Sequence, residues 1–337
     1  MNSGQMKIGL TLGKFAPLHR GHQSVIEASL KEMDHTIILI YDTPELDICP
    51  LPIRSQWIRD LYPSVEVLEA WDGPSETGLE PSITAKHDAY LKRRFEDRCV
   101  THFYSSEPYG MHVSKALNAI DRRVDVDRDK IPISGTVIRL SPFESRRFVH
   151  SRVYRDLVTH VVFLGAPSTG KTTLAESMAK RHNTVWMPEY GREYWEQNHI
   201  ARRLSENQLL EIAIGHRERE DRLVTEANQY FFIDTDATTT LQFSYYYHGT
   251  AQAELKQLAN QTRERYDLFF LCEPDIPYDD TWDRSGAVSR LAMHRRIEAD
   301  LLSRRIPFHR LTGGLDSRSQ KIDSVLSSYR KFGGLEE

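Results

Sequence analysis

The chain has 337 residues, enough for two domains of ordinary size, and 39% apolar with 27% charged residues is the composition of a soluble globular protein. A formal net charge of -4 argues against a dedicated nucleic-acid binder. No apolar run approaches the roughly 18 residues that cross a membrane, and Met1 to Lys7 lacks the apolar core of a secretory signal, so a cytoplasmic protein is expected.

The first predicted strand, residues 7–12, runs into Gly13-Lys14-Phe15-Ala16-Pro17-Leu18-His19-Arg20-Gly21-His22, and a helix follows at 23–33 with Val25, Ile26, Leu30 and Met33 at helical spacing. Gly21 lets a phosphate approach the backbone while the His19 and His22 imidazoles converge on it from the first helical turn. A metal pair or a chance helix cap is the alternative for two histidines three apart. The continuous, β-branched run His35–Tyr41 reads as the buried centre of a parallel sheet. Alternation continues with a helix at 53–61, a strand at 65–70, a helix at 83–98, a strand at 101–105 and a helix at 110–120. That order implies a doubly wound sheet with ligands at the carboxyl ends of its strands. Ser106 and Glu107 stand at one such end, and Trp71 at another, where its indole could stack on a flat ring or simply pack in the core. The half closes on Ile133-Ser134-Gly135-Thr136-Val137-Ile138-Arg139: Ser134 and Thr136 at a helix start can bind phosphate oxygens, and Arg139 can neutralise a leaving pyrophosphate.

The pairing of this segment with the upstream histidines resembles the nucleotidyltransferase superfamily. The resemblance implies attack by an acceptor phosphate on the α-phosphorus of ATP, with His19 and His22 stabilising charge and Lys14 and Arg139 holding pyrophosphate; Gly13, Phe15 and Gly21 would line the nucleotide loop. Such a displacement depends on positioning and charge neutralisation more than on a covalent nucleophile.

A polar, basic connector leads to a boundary placed near residue 157, giving domains 1–157 and 158–337. Residues 161–164 form a strand, Gly165-Ala166-Pro167-Ser168-Thr169-Gly170-Lys171-Thr172 matches the G-x-x-x-x-G-K-[ST] phosphate loop, and a helix opens at Thr172-Thr173. Gly165 and Gly170 allow N–H groups, with those of Ser168 and Thr169, to point at phosphate; Lys171 would reach the β- and γ-phosphates and Thr172 would hold Mg²⁺. After a strand at 184–186, Glu189, Tyr190 and Arg192 lie in a cluster that reads either as an amphipathic helix start or as an acceptor site for an aromatic nucleoside. Ser205 and Gln208 cap a long helix running to about residue 228. The strand at 230–236 ends in Asp234 and Asp236, both candidate catalytic carboxylates, which project to opposite faces if it stays extended; Asp234 is favoured beside Mg²⁺ or the acceptor hydroxyl. Leu268–Cys272 is the next strand, and the polar loop after it, carrying Arg284, reads as a lid over ATP or a plain connector before a helix at 287–304. Cys49, Cys99 and Cys272 are widely spaced and read as reduced, buried thiols.

A nucleotidyltransferase followed by a P-loop kinase looks like the bifunctional NadR family, on G-K-F-x-P-x-H-x-G-H, the strand-end Ser-Ser-Glu, I-S-G-T-x-I-R, the P-loop, E-Y-x-R-E-Y and the I-D-T-D strand. The resemblance implies an α/β architecture of two doubly wound parallel-sheet domains, an N-terminal Rossmann-like nucleotidyltransferase and a C-terminal P-loop kinase. It implies that the second half phosphorylates nicotinamide riboside with ATP and Mg²⁺, and that the first adenylylates the mononucleotide to NAD. The small molecules are then the partners, with a homo-oligomer left open. Some members begin with a helix-turn-helix domain; here the first strand starts at Lys7, and direct DNA binding is not expected. Three alternatives stand beside this reading: a coenzyme A synthase pairing of transferase and kinase, a nucleotide-sensing regulator, and an active kinase joined to a transferase for another acceptor.

Overall fold

The computed structural model describes residues 6–332 apart from 45, 47–48, 108, 128, 200–202 and 278–286. The chain divides into two compact units, one reaching Tyr154 and the other spanning Arg155–Lys331. Each is a parallel sheet covered by helices, as the strand–helix alternation predicts.

In the first unit β1 (Ile8–Gly13), β2 (His35–Tyr41), β3 (Glu66–Ala70), β4 (His102–Ser105) and β5 (Ile120–Arg123) form a five-stranded sheet in the order β3-β2-β1-β4-β5. Every pairing is parallel, with Leu10 beside Ile37 on one flank and Phe103 on the other. These three, with Leu39, Leu91 and Val113, make the core. The helix Arg20–Glu32 packs so closely on β1 that a Cβ at Gly9 would stand 2.3 Å from Ser29 Oγ. The chain leaves β1 first towards β2 and later reaches β4 on the other side. The switch therefore lies at the carboxyl ends of β1 and β4, where open α/β sheets bind their ligands.

In the second unit β6 (Thr159–Leu164), β7 (Trp186–Met187), β8 (Tyr230–Asp234), β9 (Leu268–Cys272) and β10 (His309–Leu311) run parallel in the order β10-β9-β6-β8-β7. Phe163 on the central strand stacks between Phe232 and Phe270, ring centroids 6.2 and 5.8 Å away. Helices Lys171–Arg181 and Leu315–Ser328 add Leu174, Met178 and Ile322 to that core. A second cluster joins Leu209 and Ile212 of the helix Glu206–Leu223 to Leu241 and Leu255.

Several elements depart from the sequence expectation. The helix expected at 110–120 ends at Leu117 because Asn118 turns left-handed, φ 53°, and Ile120 opens β5. The long helix after Ser205 has the expected capping box but ends at Leu223 and passes into a short 3-10 turn. Asp236 is not on β8: the strand stops at Asp234, and Thr235 at φ 67° redirects the chain. Of the cysteines, Cys49 and Cys272 are buried as expected, whereas Cys99 is exposed. Among the described residues no helix is long and apolar enough to cross a membrane.

One buried charge braces the second unit. Glu220 accepts hydrogen bonds from Arg265 Nε at 2.7 Å and Tyr266 Oη at 2.8 Å, with His216 Nε2 3.1 Å away. Burial raises its pKa, but the Arg265 guanidinium and these hydrogen bonds outweigh it and hold the group at about 2. Because the folded value is depressed, its contribution to stability is complete above the ordinary carboxylate value of 4.5 and is withdrawn as pH falls towards about 2. Glu220→Gln leaves Arg265 with Asp221, 2.8 Å away, as its remaining carboxylate partner and is expected to cost about 2 kcal/mol. Urea unfolding at pH 7 measures this directly; a midpoint equal to that of the unsubstituted chain would remove the network from the stability of the unit.

Candidate active sites

At the switch point of the first sheet β1 ends in Gly13, and the loop beyond it carries Lys14 and buried Phe15 at φ 48° before a cis Ala16–Pro17 peptide. His19 is the N-cap of the helix Arg20–Glu32: its Nδ1 accepts from the Gly21 N–H at 3.1 Å, which puts the proton of the neutral ring on Nε2. His22, in the first turn, stacks on His19 with centroids 3.7 Å apart and meets Phe15 edge-on at 4.9 Å. Ser134 caps the helix Gly135–Leu140, its Oγ accepting from the Val137 N–H at 3.3 Å. Arg139 reaches back to the β1 loop, donating to Ala16 O at 2.7 Å and to Thr136 Oγ1 at 3.0 Å. A Cβ at Gly135 would come within 3.3 Å of Ala16 O, so a small residue is needed there. The two distant motifs are thus brought together.

Ser106 and Glu107 follow β4, the strand beside β1, and are half-buried there. Trp71 lies farther off, after edge strand β3; it is 59% exposed and donates through Nε1 to Glu69 Oε2 at 3.1 Å. A core role for this indole is thereby excluded. The sequence reading missed Arg54, buried on the helix Leu51–Leu61, which donates to Cys49 O at 2.8 Å, to Tyr41 O at 2.9 Å and to Lys14 O. It ties the nucleotide loop to the end of β2.

In the second unit the phosphate loop leaves β6 between its neighbours β8 and β9. Gly165, Ser168 and Gly170 have φ of 140°, 59° and 83°, and a Cβ at Gly165 would stand 2.7 Å from Cys272 O. Lys171 Nζ and Thr169 Oγ1 both donate to Ala166 O, at 2.9 and 2.8 Å, and close the loop on itself. Thr172, the next residue of the helix Lys171–Arg181, donates through Oγ1 to Asp234 Oδ2 at 2.5 Å, and exposed Thr173 follows it. Asp234 is fully buried, and its Oδ1 has no hydrogen-bond partner among the described residues. Burial first, and the neighbouring Glu189 carboxylate second, push its pKa up to about 6, while Lys171 pulls the other way.

Asp236, expected among the catalytic carboxylates, is spent as the N-cap of the helix Ala237–His248. Its Oδ1 accepts from the Thr238 and Thr239 N–H groups at 3.0 and 3.3 Å and from Thr238 Oγ1 at 2.6 Å, and its Oδ2 from Thr262 Oγ1 at 2.9 Å. Arg284, expected on the lid, lies outside the described residues.

A cavity of about 860 Å³ opens from the phosphate loop and is walled by Glu189, Arg192, Trp195, His216, Phe243 and Tyr247. Glu189 is the N-cap of the helix Tyr190–Asn198, with Arg192 Nη2 3.9 Å from its Oε2. Tyr190 serves the scaffold instead: its ring is covered by Arg219 at 3.8 Å and presses on Gly215, where a Cβ would meet it at 2.5 Å. The phosphate loop and the mixed acidic–aromatic wall border one continuous space, while Asp234 stays buried outside its lining and hydrogen-bonds to the loop residue Thr172.

Residues 160–318 match the AAA domain family. The chain is 28% identical over 326 residues to the trifunctional NAD biosynthesis/regulator protein NadR of Salmonella typhimurium, covering 90% of this chain and 78% of that one. With the Escherichia coli protein of the same name it shares 29% identity over 292 residues, 80% of this chain and 70% of that one. The chain is similar to the NadR proteins over most of its length. Its fold is that of solved NadR proteins as well: a crystal structure in complex with NAD and AMP-PNP superposes with a TM-score of 0.55 at 22% identity, over 99% of this chain and 98% of that one. One in complex with NR gives 0.56 at 23% identity over 96% and 95%. Two further residues carry no signal in the sequence. Arg290 and Arg318, 7% and 2% exposed, sit against the phosphate loop. On a helical pattern such arginines look like any solvated face.

Proposed function

We propose that this chain makes NAD in two ATP-dependent steps: the second unit phosphorylates nicotinamide riboside, and the first transfers the adenylyl group of ATP to the resulting mononucleotide, releasing pyrophosphate. The observation that supports this reading is that each sheet has a glycine-bearing loop of phosphate-binding sequence at its own switch point, the second loop opening into a cavity with an aromatic and acidic wall. The curated relatives matched over most of the chain, both named for NAD biosynthesis, support it over the coenzyme A pairing. We place the chain in the cytoplasm, acting on small molecules.

In the kinase unit Lys171 and the loop amides hold the β- and γ-phosphates while the riboside hydroxyl attacks the γ-phosphorus and ADP leaves. Glu189, facing the cavity, accepts the hydroxyl proton, and Arg192 meets the charge that develops. The donor set fits Mg²⁺: a hydroxyl and a buried carboxylate with one oxygen still unbonded, close to where phosphate oxygens would complete a hard, oxygen-only shell. Thr172 and Asp234 would hold the ion, which neutralises charge on the transferring phosphoryl group when bound.

In the transferase unit a phosphate oxygen of the mononucleotide bonds to the α-phosphorus as the bridge to the β-phosphorus breaks. The attacking group is already an anion, so the step calls for charge neutralisation rather than a base. His19, through its Nε2–H, and His22 donate hydrogen bonds to the α-phosphate oxygens, and Lys14 and Arg139 neutralise charge at the departing pyrophosphate; the hydroxyls of Ser134 and Thr136 and the residues at 106–107 border the nucleotide. Trp71 offers a face for the nicotinamide ring.

Purified chain incubated with ATP, Mg²⁺ and nicotinamide riboside is expected to yield both mononucleotide and NAD by chromatography. Mononucleotide without NAD, also when mononucleotide is supplied, would refute the proposed acceptor of the first unit. Formation of neither would refute both steps.

A further inference from the structure

The phosphate loop is gripped from outside by two buried arginines in a matched way. Arg318, on the helix Leu315–Ser328, donates through Nη1 to Thr169 O at 2.6 Å and through Nη2 to Glu273 O at 3.0 Å, while Nε holds Gly313 O at 2.8 Å and the guanidinium pairs with Asp275. Arg290, on the helix Ala287–Ser303, donates through Nη2 to Ser168 O at 2.9 Å and through Nη1 to Ile276 O at 3.1 Å. Each guanidinium thus takes one carbonyl from the loop and one from the segment that leaves β9.

The consequence follows from peptide geometry. In a trans peptide the C=O and the next residue's N–H point in opposite directions. Holding Ser168 O outward therefore aims the Thr169 N–H inward, and holding Thr169 O outward aims the Gly170 N–H inward. Ser168 precedes this pair in the left-handed region at φ 59°, a conformation that disfavours a residue with a Cβ, and the two arginines help to hold it there. Neither guanidinium is needed as a phosphate ligand for this effect. We propose that Arg290 and Arg318 are positioning residues for phosphoryl transfer, which aim two successive loop amides at the nucleotide phosphates and lock the loop to the segment 273–276.

This inference rests on the kinase reading of the second unit, and a measurement of nucleotide binding separates the two. Arg290→Met and Arg318→Met are compared with the unsubstituted chain for binding of a non-hydrolysable ATP analogue with Mg²⁺ by calorimetry, and for kcat and KM of riboside phosphorylation. Each is expected to weaken the analogue on the order of tenfold and to lower kcat about 10²-fold, the effect of misplacing reacting groups by about 1 Å, with KM for the riboside nearly unchanged. Arg290→Lys, whose ammonium can still hold Ser168 O, should recover much of the loss. Arg318→Lys should recover less, because one ammonium cannot span four acceptors. Folded variants that bind the analogue and turn over like the unsubstituted chain would overturn the proposal; should Arg318→Met not fold, the Arg290 pair decides it alone. Failure of the unsubstituted chain to phosphorylate the riboside would instead refute the kinase reading, and analogue binding would still report on the arginines.

Discussion

Lys171→Ala is expected to lower phosphorylation of nicotinamide riboside on the order of 10³-fold while leaving adenylyl transfer to supplied mononucleotide nearly intact. Lys171 is 8% exposed, its ammonium is folded across its own loop onto Ala166 O at 2.9 Å, and its charge offsets the burial of Asp234. Its loss removes the charge proposed to meet the β- and γ-phosphates. It also deprives Asp234 of its counterweight, so a carboxyl already raised by burial and by Glu189 is pushed higher still. The two defects act on one step and should appear in kcat more than in KM for the riboside. Adenylyl transfer is drawn from a different sheet with its own switch point, and following both products from a single preparation compares the two directly. Equal loss of both activities would refute independent sites.

How far the sequence could be read depends on what each residue does in the fold. The central strands of both sheets were legible because burial on both faces demands unbroken apolar runs such as His35–Tyr41 and Leu268–Cys272. Edge strands carry no such demand. β5 reads Ile-Asp-Arg-Arg and is largely exposed, while β10 reads His-Arg-Leu with only Leu311 buried, and neither leaves a hydrophobic signature. The helices Ala253–Asn260 and Leu315–Ser328 went unread for want of a motif attached to them.

The sites divide in the same way. Gly165, Gly170, His19 and His22 announce themselves because backbone curvature and phosphate binding restrict residue type at fixed spacing. Arg54, Arg290 and Arg318 do not, since what defines them is a set of carbonyls distant in sequence. Asp236 departs for the opposite reason: extended-strand alternation does not continue past the turn at Thr235, and the residue caps the next helix at the border of the cavity. Local chemistry is written locally; the shell that aims it is written in the fold.

His22→Ala is expected to reverse the Lys171 result, lowering adenylyl transfer by about 10²–10³-fold with riboside phosphorylation unaffected. His19 is fixed in place by its own cap hydrogen bond, and His22 is fixed by stacking on His19 and by the edge of Phe15. Both rings therefore stand at the positive end of a helix with little freedom to reorganise, the condition under which a donor stabilises a transition state more than a ground state. Removing the His22 ring also frees one face of His19, so some of the loss should come from a neighbour that no longer holds its angle. His22→Phe keeps the stack and deletes the ring nitrogens, which separates the two contributions. If stacking alone mattered, the phenylalanine variant would retain the rate; if charge neutralisation matters, it should fall nearly as far as the alanine variant. An unchanged adenylylation rate in His22→Ala would remove the ring from the mechanism and leave the transfer to Arg139 and the loop backbone.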